Sequence, residues 1–492
     1  MDEKEVLQLV FKIKRAIRHA IRNGHAEEAL SLIRSCAELL YTVNLYYRDD
    51  DLEQALQKLG TMLQAQGKED NGKPFDQDVV LFWDGFGLDD RGLVRIYLKA
   101  LCKAKHVVYV SYEDKKNGLL HVRRILEEGQ AESCFIPRGR GDRQNAVQML
   151  RDVLLRYRPK QFFFYSTPYD VVGTTVMYMF QGRMDRYQIN LTDHAFWLGA
   201  GCIDKCIEFR EYGARITKEY RGIEEKNIVV IPFYPAVEPM PFQGFPFPVQ
   251  PGQKVFFSGG ALYKTMGDDH MYYSMVQHIL DVHPDTVFWY AGSGSYSEMD
   301  QLLKKYPNRA FFTAERQDLC EVIHNCRFYL STYPLCGGLM FQYAALAGRV
   351  PVTLKRDPVA DSFLIDQSNL EVEFDSTEKL YVEVDRLLNN DCYWKQRARE
   401  MSAAVISLEG FDGEVAKLFK RDASSAYPPT YGPIDTTSFR KWRVSTLQRG
   451  ELWQILVRKN VTRCALRYYP IEFIGGAISF LWQTMVEYLH AA

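Results

Sequence analysis

Three glycine-containing segments could bind phosphate through their backbone amides. Each lies at the end of a predicted strand or at the start of a helix, and their glycines are Gly259 and Gly260, Gly292 and Gly294, and Gly337 and Gly338. Backbone N–H groups in such turns and at helix N-termini attract anions, and Lys264 adds a positive charge four residues after Gly260. A glycine pair alone is equally typical of a tight core turn. Together, the three segments predict a site where amides and one lysine hold a nucleotide diphosphate.

Other kinds of site find little support. The sequence has no GxxxxGK[ST] motif, so this is not a P-loop, and no GxGxxG with a ribose-binding acid, which disfavours a dinucleotide site. The ten cysteines are scattered, and although Cys202 and Cys206 lie four residues apart, two ligands do not make a zinc site. We therefore expect no metal and reduced thiols in a cytosolic compartment. The formal net charge of −1 gives no global case for nucleic acid binding.

A second candidate group is the pair Asp193 and His194 in the segment INLTDHAFW. The segment YQINLTDH predicts a strand, and the pair falls at its carboxyl end, where parallel sheets carry their functional side chains. Two plainer interpretations remain open. His194 could be a core histidine that caps the turn, and Asp193 could be a helix N-cap, since aspartate is preferred there.

The elements that position these residues alternate between strands and helices. All-apolar runs such as VVLFW, QFFFY and TVFWY are typical of parallel strands buried on both faces. The alternation is interrupted by VEPMPFQGFPFPVQPGQK, which is too rich in proline for a strand or helix interior. We therefore predict an α/β protein with two Rossmann-like, doubly wound domains that face each other across a cleft. The predicted boundaries are 75–245 for the first domain and 252–425 for the second.

The predicted ends of the chain are helical. A chain of 492 residues with 47% hydrophobic and 25% charged residues is long enough for two or three folded domains. Residues 1–72 predict three helices, the first with a row of basic residues that is either solvated or binds a membrane or a partner. The tail, 426–492, includes eight Lys or Arg and one acid within 438–470, interleaved with aromatics. It predicts either contact with an anionic membrane surface or a helix packed on the body.

The sequence shows neither a signal peptide nor an uncharged apolar run long enough to cross a membrane. We therefore expect a cytoplasmic protein, with peripheral association at the inner membrane face through 438–492.

The order of these motifs resembles the GT-B glycosyltransferases that use nucleotide sugars. The second domain, with strand–GG–Lys, strand–GSG and ERQDLCEVIHNCRFYLSTYPLCGGLMFQYAALAGRVPV, is similar to the donor domain of family-4-like and O-GlcNAc-transferase-like enzymes. The first domain resembles their acceptor domain, with Asp84, Gly85 and Gly87 of DGFGLDDRGLVRIYLKAL at the first turn. The resemblance covers roughly residues 78–421.

The resemblance implies roles for individual residues of the donor domain. Gly259, Gly260 and Lys264 would contact the diphosphate, and Gly337 and Gly338 would offer amides to the same phosphates. Glu315 and Arg316 lie where a loop borders the nucleobase in the family. Retaining members carry two glutamates eight residues apart, but here Gln342 or Tyr343 stands at the second position and Pro334 or Leu335 at the first. The amide of Gln342 is then the candidate for holding the ribose, and retaining stereochemistry is in doubt.

The resemblance also implies the activity. Related enzymes place a histidine where His194 stands, against the transferred sugar or as a polar catalytic group; if the reaction inverts, Asp193 or His194 would be the base, with the acids of DGFGLDDRG in reserve. We expect a metal-independent transferase that moves a sugar to a glycan or lipid-linked acceptor. UDP-sugar is the first choice of donor, and GDP- and ADP-sugars are the alternatives. Three other functions stay open: a protein glycosyltransferase, a sugar-nucleotide epimerase, and a silent GT-B protein that binds nucleotide sugar or acts as a scaffold.

Overall fold

A computed structural model describes most of the chain. The residues outside this description are 1, 68–69, 71, 90–91, 114–117, 138–141, 236–239, 268–269, 356–363, 366–368, 421–433, 447–451, 456–461 and 492. The remaining residues form two compact units, Met1–Ile231 with Glu414–Ala492 and Pro232–Gly413. This division differs from the four predicted domains, because the N-terminal helices, the first sheet and the tail all belong to one unit. The proline-rich segment belongs to the second.

The first unit contains a parallel sheet that, in the described residues, has seven strands. They are β1 Asp76–Asp84, β2 His106–Tyr112, β3 Glu132–Ile136, β4 Pro159–Tyr165, β5 Asp185–Ile189, β6 Lys205–Glu208 and β7 Ile228–Val230. The strand order is β3-β2-β1-β4-β5-β6-β7, so the direction of winding reverses between β1 and β4. The predicted α/β class with doubly wound sheets is confirmed here.

Helices surround this sheet. Those that precede or follow its strands are α1 Glu3–Arg22, α2 Ala26–Val43, α3 Asp50–Gln66, α4 Gly92–Ala104, α5 Leu120–Glu128, α6 Arg143–Tyr157, α7 Val171–Met179 and α8 Glu211–Glu219. The described part of the tail includes the helices α16 Thr437–Thr446, α17 Thr462–Tyr468 and α18 Pro470–Ala491. No helix in the described part of the chain is long and apolar enough to span a membrane.

The N-terminal helices are part of the core of the first unit. Successive residues of a strand point to opposite faces, and Leu81 and Trp83 of β1 face a core that also contains residues of α1, α2, α3, α6 and α7. The helix α2 packs on α6, and α3 packs on α7. Tyr469 from the tail is fully buried in the same core. The segment of the tail around Tyr469 is therefore packed on the body, and contact of the tail with a membrane stays a prediction.

The second unit contains a parallel sheet of six strands in the described residues. They are β8 Lys254–Ala261, β9 Thr286–Ser293, β10 Ala310–Thr313, β11 Tyr329–Leu330, β12 Pro351–Leu354 and β13 Glu373–Phe374. Its helices are α9 Met271–Val282, α10 Ser297–Lys305, α11 Leu319–His324, α12 Gly338–Leu346, α13 Thr377–Asn389, α14 Asp391–Ala403 and α15 Leu408–Lys417, and the chain returns to the first unit within α15. The order β10-β9-β8-β11-β12-β13 reverses between β8 and β11.

Candidate functional site

The glycines at the end of β8 lie where the winding of the second sheet reverses, and those at the end of β9 lie on the neighbouring strand. In open parallel sheets this reversal opens a crevice beyond the carboxyl ends of the two central strands, where ligands bind. Gly259 and Gly260 end β8, which pairs with β9 through Gly260 and Gly292. A Cβ on Gly292 would lie 1.9 Å from the carbonyl oxygen of Gly260, so no side chain fits there. The glycines bring two backbones into direct contact at this edge.

The third glycine segment meets the first at the start of α12. Gly337 is the N-cap residue of α12 and, as a glycine, has no side chain to cap it. The first amides of a helix lack intrahelical partners and carry a partial positive charge. A Cβ on Gly337 would lie 3.6 Å from Nζ of Lys264, and the N–H of Leu335 donates to the Lys264 carbonyl at 3.3 Å. The structure therefore places the lysine ammonium beside the open N-terminus of α12.

The surroundings of Lys264 are those of a half-buried lysine beside a helix N-terminus, and its contact with a diphosphate stays a prediction. It lies in the turn Leu262–Thr265 after β8 and is half-buried. Its ammonium makes no hydrogen bond or salt bridge to any residue within the described ranges. Burial lowers the pKa of Lys264 from its ordinary value, because the charged form loses hydration. A partly dehydrated cation next to open helix amides can bind a diphosphate more strongly than a fully hydrated one.

The other predicted donor residues differ in their surroundings. Gly294 follows β9 with φ +101°, and Glu315 is exposed and accepts a hydrogen bond from Ser293 Oγ at 3.2 Å. Gln342 is only 2% exposed within α12. A buried amide contacts protein rather than solvent, and its contact with ribose stays a prediction.

Arg316 is engaged in a structural contact. Its Nε and Nη2 donate to the two oxygens of Asp318 at 2.8 and 2.7 Å, and Nη2 also donates to the carbonyl of Gly244 at 3.3 Å. Asp318 in turn accepts from the N–H of Gln243 at 2.8 Å. The pair thus holds the proline-rich segment against the loop before α11. Its role beside a nucleobase stays a prediction.

In the first unit, Asp193 and His194 lie in a loop after β5 rather than in a strand or helix. Asp193 is 1% exposed and ion-paired with Arg210, whose Nη2 donates to Oδ1 at 3.1 Å and whose Nε donates to Oδ2. Burial alone raises the pKa of this carboxyl, but the Arg210 charge and hydrogen bonds from His194 and Arg210 outweigh burial and leave it well below its usual value. An ionised, ion-paired carboxylate is a weak base, so this geometry suits Asp193 to orient His194.

His194 is the more accessible member of the pair. Its Nδ1 lies 3.3 Å from Oδ1 of Asp193, and 40% of its side chain is exposed. A carboxylate at one ring nitrogen fixes the orientation of the imidazole. The pair therefore presents an oriented and partly exposed imidazole at the loop after β5.

Two residues that the sequence analysis missed hold this loop. Asn44 ends α2 in a left-handed conformation, donates to the His194 carbonyl at 3.1 Å and accepts from the N–H of Phe196 at 3.0 Å. Arg221 is fully buried, and its Nη2 donates at 2.6–3.0 Å to three loop carbonyls, those of Thr192, Asp193 and Ala195. The N-terminal helices thus help to position His194.

A second buried carboxyl, also missed, lies under the same loop. Oε1 of Glu208 accepts from Asn190 Nδ2 at 2.8 Å and Thr217 Oγ1 at 2.5 Å, whereas Oε2 has no hydrogen-bond partner among the described residues. Burial raises the pKa of Glu208, and the Arg221 charge opposes this rise. A Cβ on Gly213 would lie 2.4 Å from Oε2, so α8 packs directly on this group.

Asp84 and the glycines of the first turn lie where the first sheet reverses its winding. Oδ1 of Asp84 accepts from the N–H groups of Phe86 and Gly87 at 3.0 and 2.9 Å, and Oδ2 accepts from the Tyr109 hydroxyl at 2.7 Å. Gly87 has φ +61°. The carboxylate therefore shapes the turn, and its part in acceptor binding stays a prediction.

Close packing also explains the glycine at position 85. One of the acids of DGFGLDDRG, Asp89, is paired with a histidine. A Cβ on Gly85 would lie 1.8 Å from Ser166 Oγ at the end of β4. Asp89 lies 2.7 Å from Nδ1 of His121 and accepts from the N–H groups at the start of α5. This second His–Asp pair was not predicted.

Within the described ranges, no cluster of three or more His, Cys, Asp or Glu side chains could hold a metal ion.

Comparisons with known proteins agree on the fold. No protein-family model matches the chain, and no curated protein matches it in sequence. Among solved structures, it is similar to a mutant of the Thermobaculum terrenum O-GlcNAc transferase, with 14% identity, TM-score 0.50 and coverage of 84% of this chain and 82% of that one. A Rickettsia africae glycosyltransferase gives 11% identity, TM-score 0.51 and coverage of 71% and 100%. A Listeria monocytogenes protein described as a putative UDP-N-acetylglucosamine 2-epimerase gives 11% identity, TM-score 0.51 and coverage of 72% of this chain and 100% of that one.

The two parallel sheets and these neighbours define a nucleotide-sugar glycosyltransferase-like fold of the GT-B type. The predicted resemblance is confirmed at this level. At 11–14% identity the likeness shows the fold alone.

Proposed function

We propose that the chain is a glycosyltransferase that moves a sugar from a nucleotide diphosphate to a hydroxyl of a glycan or lipid-linked acceptor, without a metal. One observation carries this proposal. The half-buried ammonium of Lys264 lies beside the open N-terminus of α12, at the point where the second sheet reverses its winding. These groups would suit an anion with more than one charge, and the fold is one that GT-B enzymes use.

The chemistry follows from the leaving group. When the sugar–phosphate bond breaks, the diphosphate gains negative charge. The ammonium of Lys264 and the amides at Gly337 and Gly338 would stabilise that charge more in the transition state than in the bound substrate. They would therefore contribute to catalysis as well as to binding.

The first unit would supply the acceptor side. His194 would accept the hydroxyl proton, and Asp193, held ionised by Arg210, would orient the ring and stabilise its charge. This assignment applies if the reaction inverts the anomeric centre.

UDP is the first choice of nucleotide. The support is that a neighbour with TM-score 0.51 is described as a UDP-N-acetylglucosamine 2-epimerase. GDP and ADP stay alternatives. The predicted cytoplasmic location and the peripheral contact of 438–492 with an anionic membrane would suit a lipid-linked acceptor in polysaccharide synthesis.

Thermal stability with nucleotides tests the donor site. A ligand that binds only the folded state raises the melting temperature by mass action, so UDP should raise it and Lys264→Ala should remove most of the rise. Transfer by Lys264→Ala should fall by about 100- to 1,000-fold, as for other single oxyanion-type contacts. Lys304→Ala, at an exposed lysine of α10, is the matched control. Wild-type turnover by Lys264→Ala would overturn the assignment.

The same neighbour favours one second candidate, a sugar-nucleotide epimerase. An epimerase changes its sugar nucleotide without an acceptor, whereas a transferase releases UDP and depends on the acceptor. Incubation with UDP-N-acetylglucosamine, with and without glycan or protein acceptors, separates the two by product. Tight UDP binding with no turnover would indicate a silent binding protein.

A further inference from the structure

The tail helix α18 is apolar on two opposite faces. One face packs on the unit: Phe473 contacts the main core, Gly476 is buried, and the ring of Phe480 stacks on Trp453 with centroids 4.8 Å apart. The other face carries large exposed apolar side chains at spacings of three and four residues. They are Ile471, Ile474, Ile478, Leu481, Trp482 and Met485.

This second face is unusual for a helix at a protein surface. A surface helix normally pairs one apolar stripe toward the core with a polar stripe toward water. On α18, Ile471 is 79% exposed and Trp482 is 63% exposed. A continuous exposed apolar patch of this kind marks a surface that binds a protein or a membrane.

The start of α18 lies beside α1, which adds positive charge. Lys12 forms a salt bridge with Glu472 at 2.6 Å, and the rings of His19 and Tyr468 are in contact. Next to Lys12, Phe11 is 58% exposed. The same outward face of α1 carries exposed residues at spacings of three and four, namely Lys4, Leu7, Arg15, Arg18 and Arg22.

Further cations border this surface. The short helix α17 exposes Arg463, Leu466 and Arg467. On the other side, a groove between α1 and α3 is lined by Arg18, Arg22 and Lys58 over an apolar floor that includes Ile17, Ile21 and Leu52. Its one acid, Asp51, forms a salt bridge with Lys14 of the same groove. Apolar side chains and basic heads therefore alternate across one region of the first unit.

Acids are few and partly neutralised here. Among the described side chains of α1 and α18, Glu472 pairs with Lys12, and Glu3 lies 3.8 Å from Arg440. Glu5 accepts from the N–H of Asp2 at 3.2 Å, in the capping box that begins α1. The acids of α1 are thus confined to its first turn, and the basic residues follow along the rest of its length. The region therefore has a clear excess of positive charge.

We propose that this apolar–basic surface, formed by α1, α17 and α18, binds an anionic lipid surface. The exposed face of α18 would lie in the plane of the interface with its apolar side chains among the acyl chains, while Arg15, Arg18 and Arg22 would contact anionic headgroups. The proposal does not depend on the proposed transfer reaction. It adds α1, far away in sequence, to the predicted contact of the tail.

Charge complementarity favours a membrane over a second copy of the chain. A two-fold symmetric dimer through this face would place each patch against itself. The rows of arginine and lysine on α1 would then face like charges, which opposes association. An anionic bilayer satisfies both the apolar stripe and its basic border.

Vesicle binding by the full chain tests the proposal. The protein should sediment with phosphatidylglycerol–phosphatidylcholine vesicles much more than with pure phosphatidylcholine, and added salt should weaken the binding. Ile474→Glu with Ile478→Glu should lower the partition coefficient by at least about tenfold, since it puts charge on the exposed face that would enter the membrane. Val382→Glu, at an exposed apolar residue of α13 in the second unit, is the matched control and should bind normally.

A second variant separates the two parts of the surface. Arg15→Gln with Arg18→Gln should lower binding to the anionic vesicles by about fivefold per charge, with little effect on phosphatidylcholine. Trp482 should shift its fluorescence to shorter wavelength on vesicle addition, and Trp482→Phe should lose that shift. Circular dichroism and melting temperature check that each variant is folded.

Three outcomes would overturn the proposal. They are no sedimentation with anionic vesicles, equal sedimentation with and without anionic lipid, and unchanged sedimentation of the Ile474→Glu, Ile478→Glu variant. A dimer that forms in the absence of lipid and is lost in that variant would assign the surface to a second copy.

Discussion

The carboxyl edges of the two sheets are organised in opposite ways. In the first unit, the edge is built from paired charges and side-chain hydrogen bonds. Arg210 forms an ion pair with Asp193, and the side chains of Asn44 and Arg221 donate hydrogen bonds to the loop backbone. In the second, it is built from bare backbone and one lysine without an ion partner in the described chain. The first edge pairs its Asp193 carboxylate within the protein and holds one imidazole in place. The second leaves amides and a cation that an anion would satisfy.

The largest expected effect comes from breaking the charge pair of the first edge. Asp193→Asn leaves Arg210, which is 4% exposed, without its carboxylate, and should lower the free energy of unfolding by about 3–5 kcal/mol. Urea unfolding measures this. Glu224→Gln, which removes a fully exposed pair with Lys226, is the control and should barely change stability. Equal effects of the two changes would contradict the difference in burial.

The second edge should be most sensitive to added bulk. Gly292→Ala puts a methyl group against the Gly260 carbonyl, so β8 and β9 must move apart, at a cost of about 1–3 kcal/mol and with loss of UDP binding. Gly413→Ala, in the open space of α15, should instead be neutral or stabilise by about 0.5–1 kcal/mol. Calorimetry with and without UDP compares them. Normal UDP binding by Gly292→Ala would contradict the importance of this close approach.

A smaller effect should follow from removing the link between the N-terminal helices and the loop. Asn44→Ala leaves the Phe196 N–H and the His194 carbonyl without this partner and should cost about 1–2 kcal/mol in stability. Transfer should fall more than UDP binding, because His194 shifts while the donor site is untouched. Isothermal titration and initial rates separate the two. A fall in UDP affinity as large as the fall in rate would argue against this division of labour.

The smallest effect is a pH dependence that sharpens the contrast. The pKa of Lys264 lies below that of a free lysine, so UDP affinity should decline as pH rises through this lowered value, at which the ammonium loses its proton. Lys264→Arg stays charged throughout and should show a flat profile apart from titration of the nucleotide, which both proteins share. Isothermal titration across alkaline pH gives both curves. Parallel curves would mean that Lys264 does not contact the diphosphate.

The glycines and the lysine at the edge of the second sheet could be placed from sequence because their signals are local, and their role in donor binding stays a prediction. A glycine pair at a strand end and a lysine four residues later lie in one short segment. Their position at the carboxyl edge of a parallel sheet followed from the alternation of strands and helices. The encounter of Lys264 with Gly337 depends on which strands are neighbours, and the reversal between β8 and β11 brings them together.

The first edge was less predictable because its contacts are distant in sequence. Asn44 is 150 residues from His194, and its left-handed conformation at the end of α2 is visible only in the structure. Glu208 is the last residue of β6, and Arg210 lies two residues beyond it. The four residues of this strand, KCIE, are too few and too polar to indicate a buried strand. The role of Asp193 stays a prediction, and its ion pair could not be foreseen, because only the fold brings Arg210 near.

The discontinuity of the first unit has a consequence for biosynthesis. Its core uses α1–α3, the first sheet and Tyr469, yet the whole of Pro232–Gly413 is synthesised in between. Domains fold largely as units as they leave the ribosome, N-terminal parts first. The second unit can therefore fold while the first still lacks α16–α18. Until these helices are synthesised, the apolar residues of α1 and α2 that pack against them stay exposed to solvent. Exposed apolar surface of a nascent chain is what chaperones bind, so we expect the first unit to be the part that needs them.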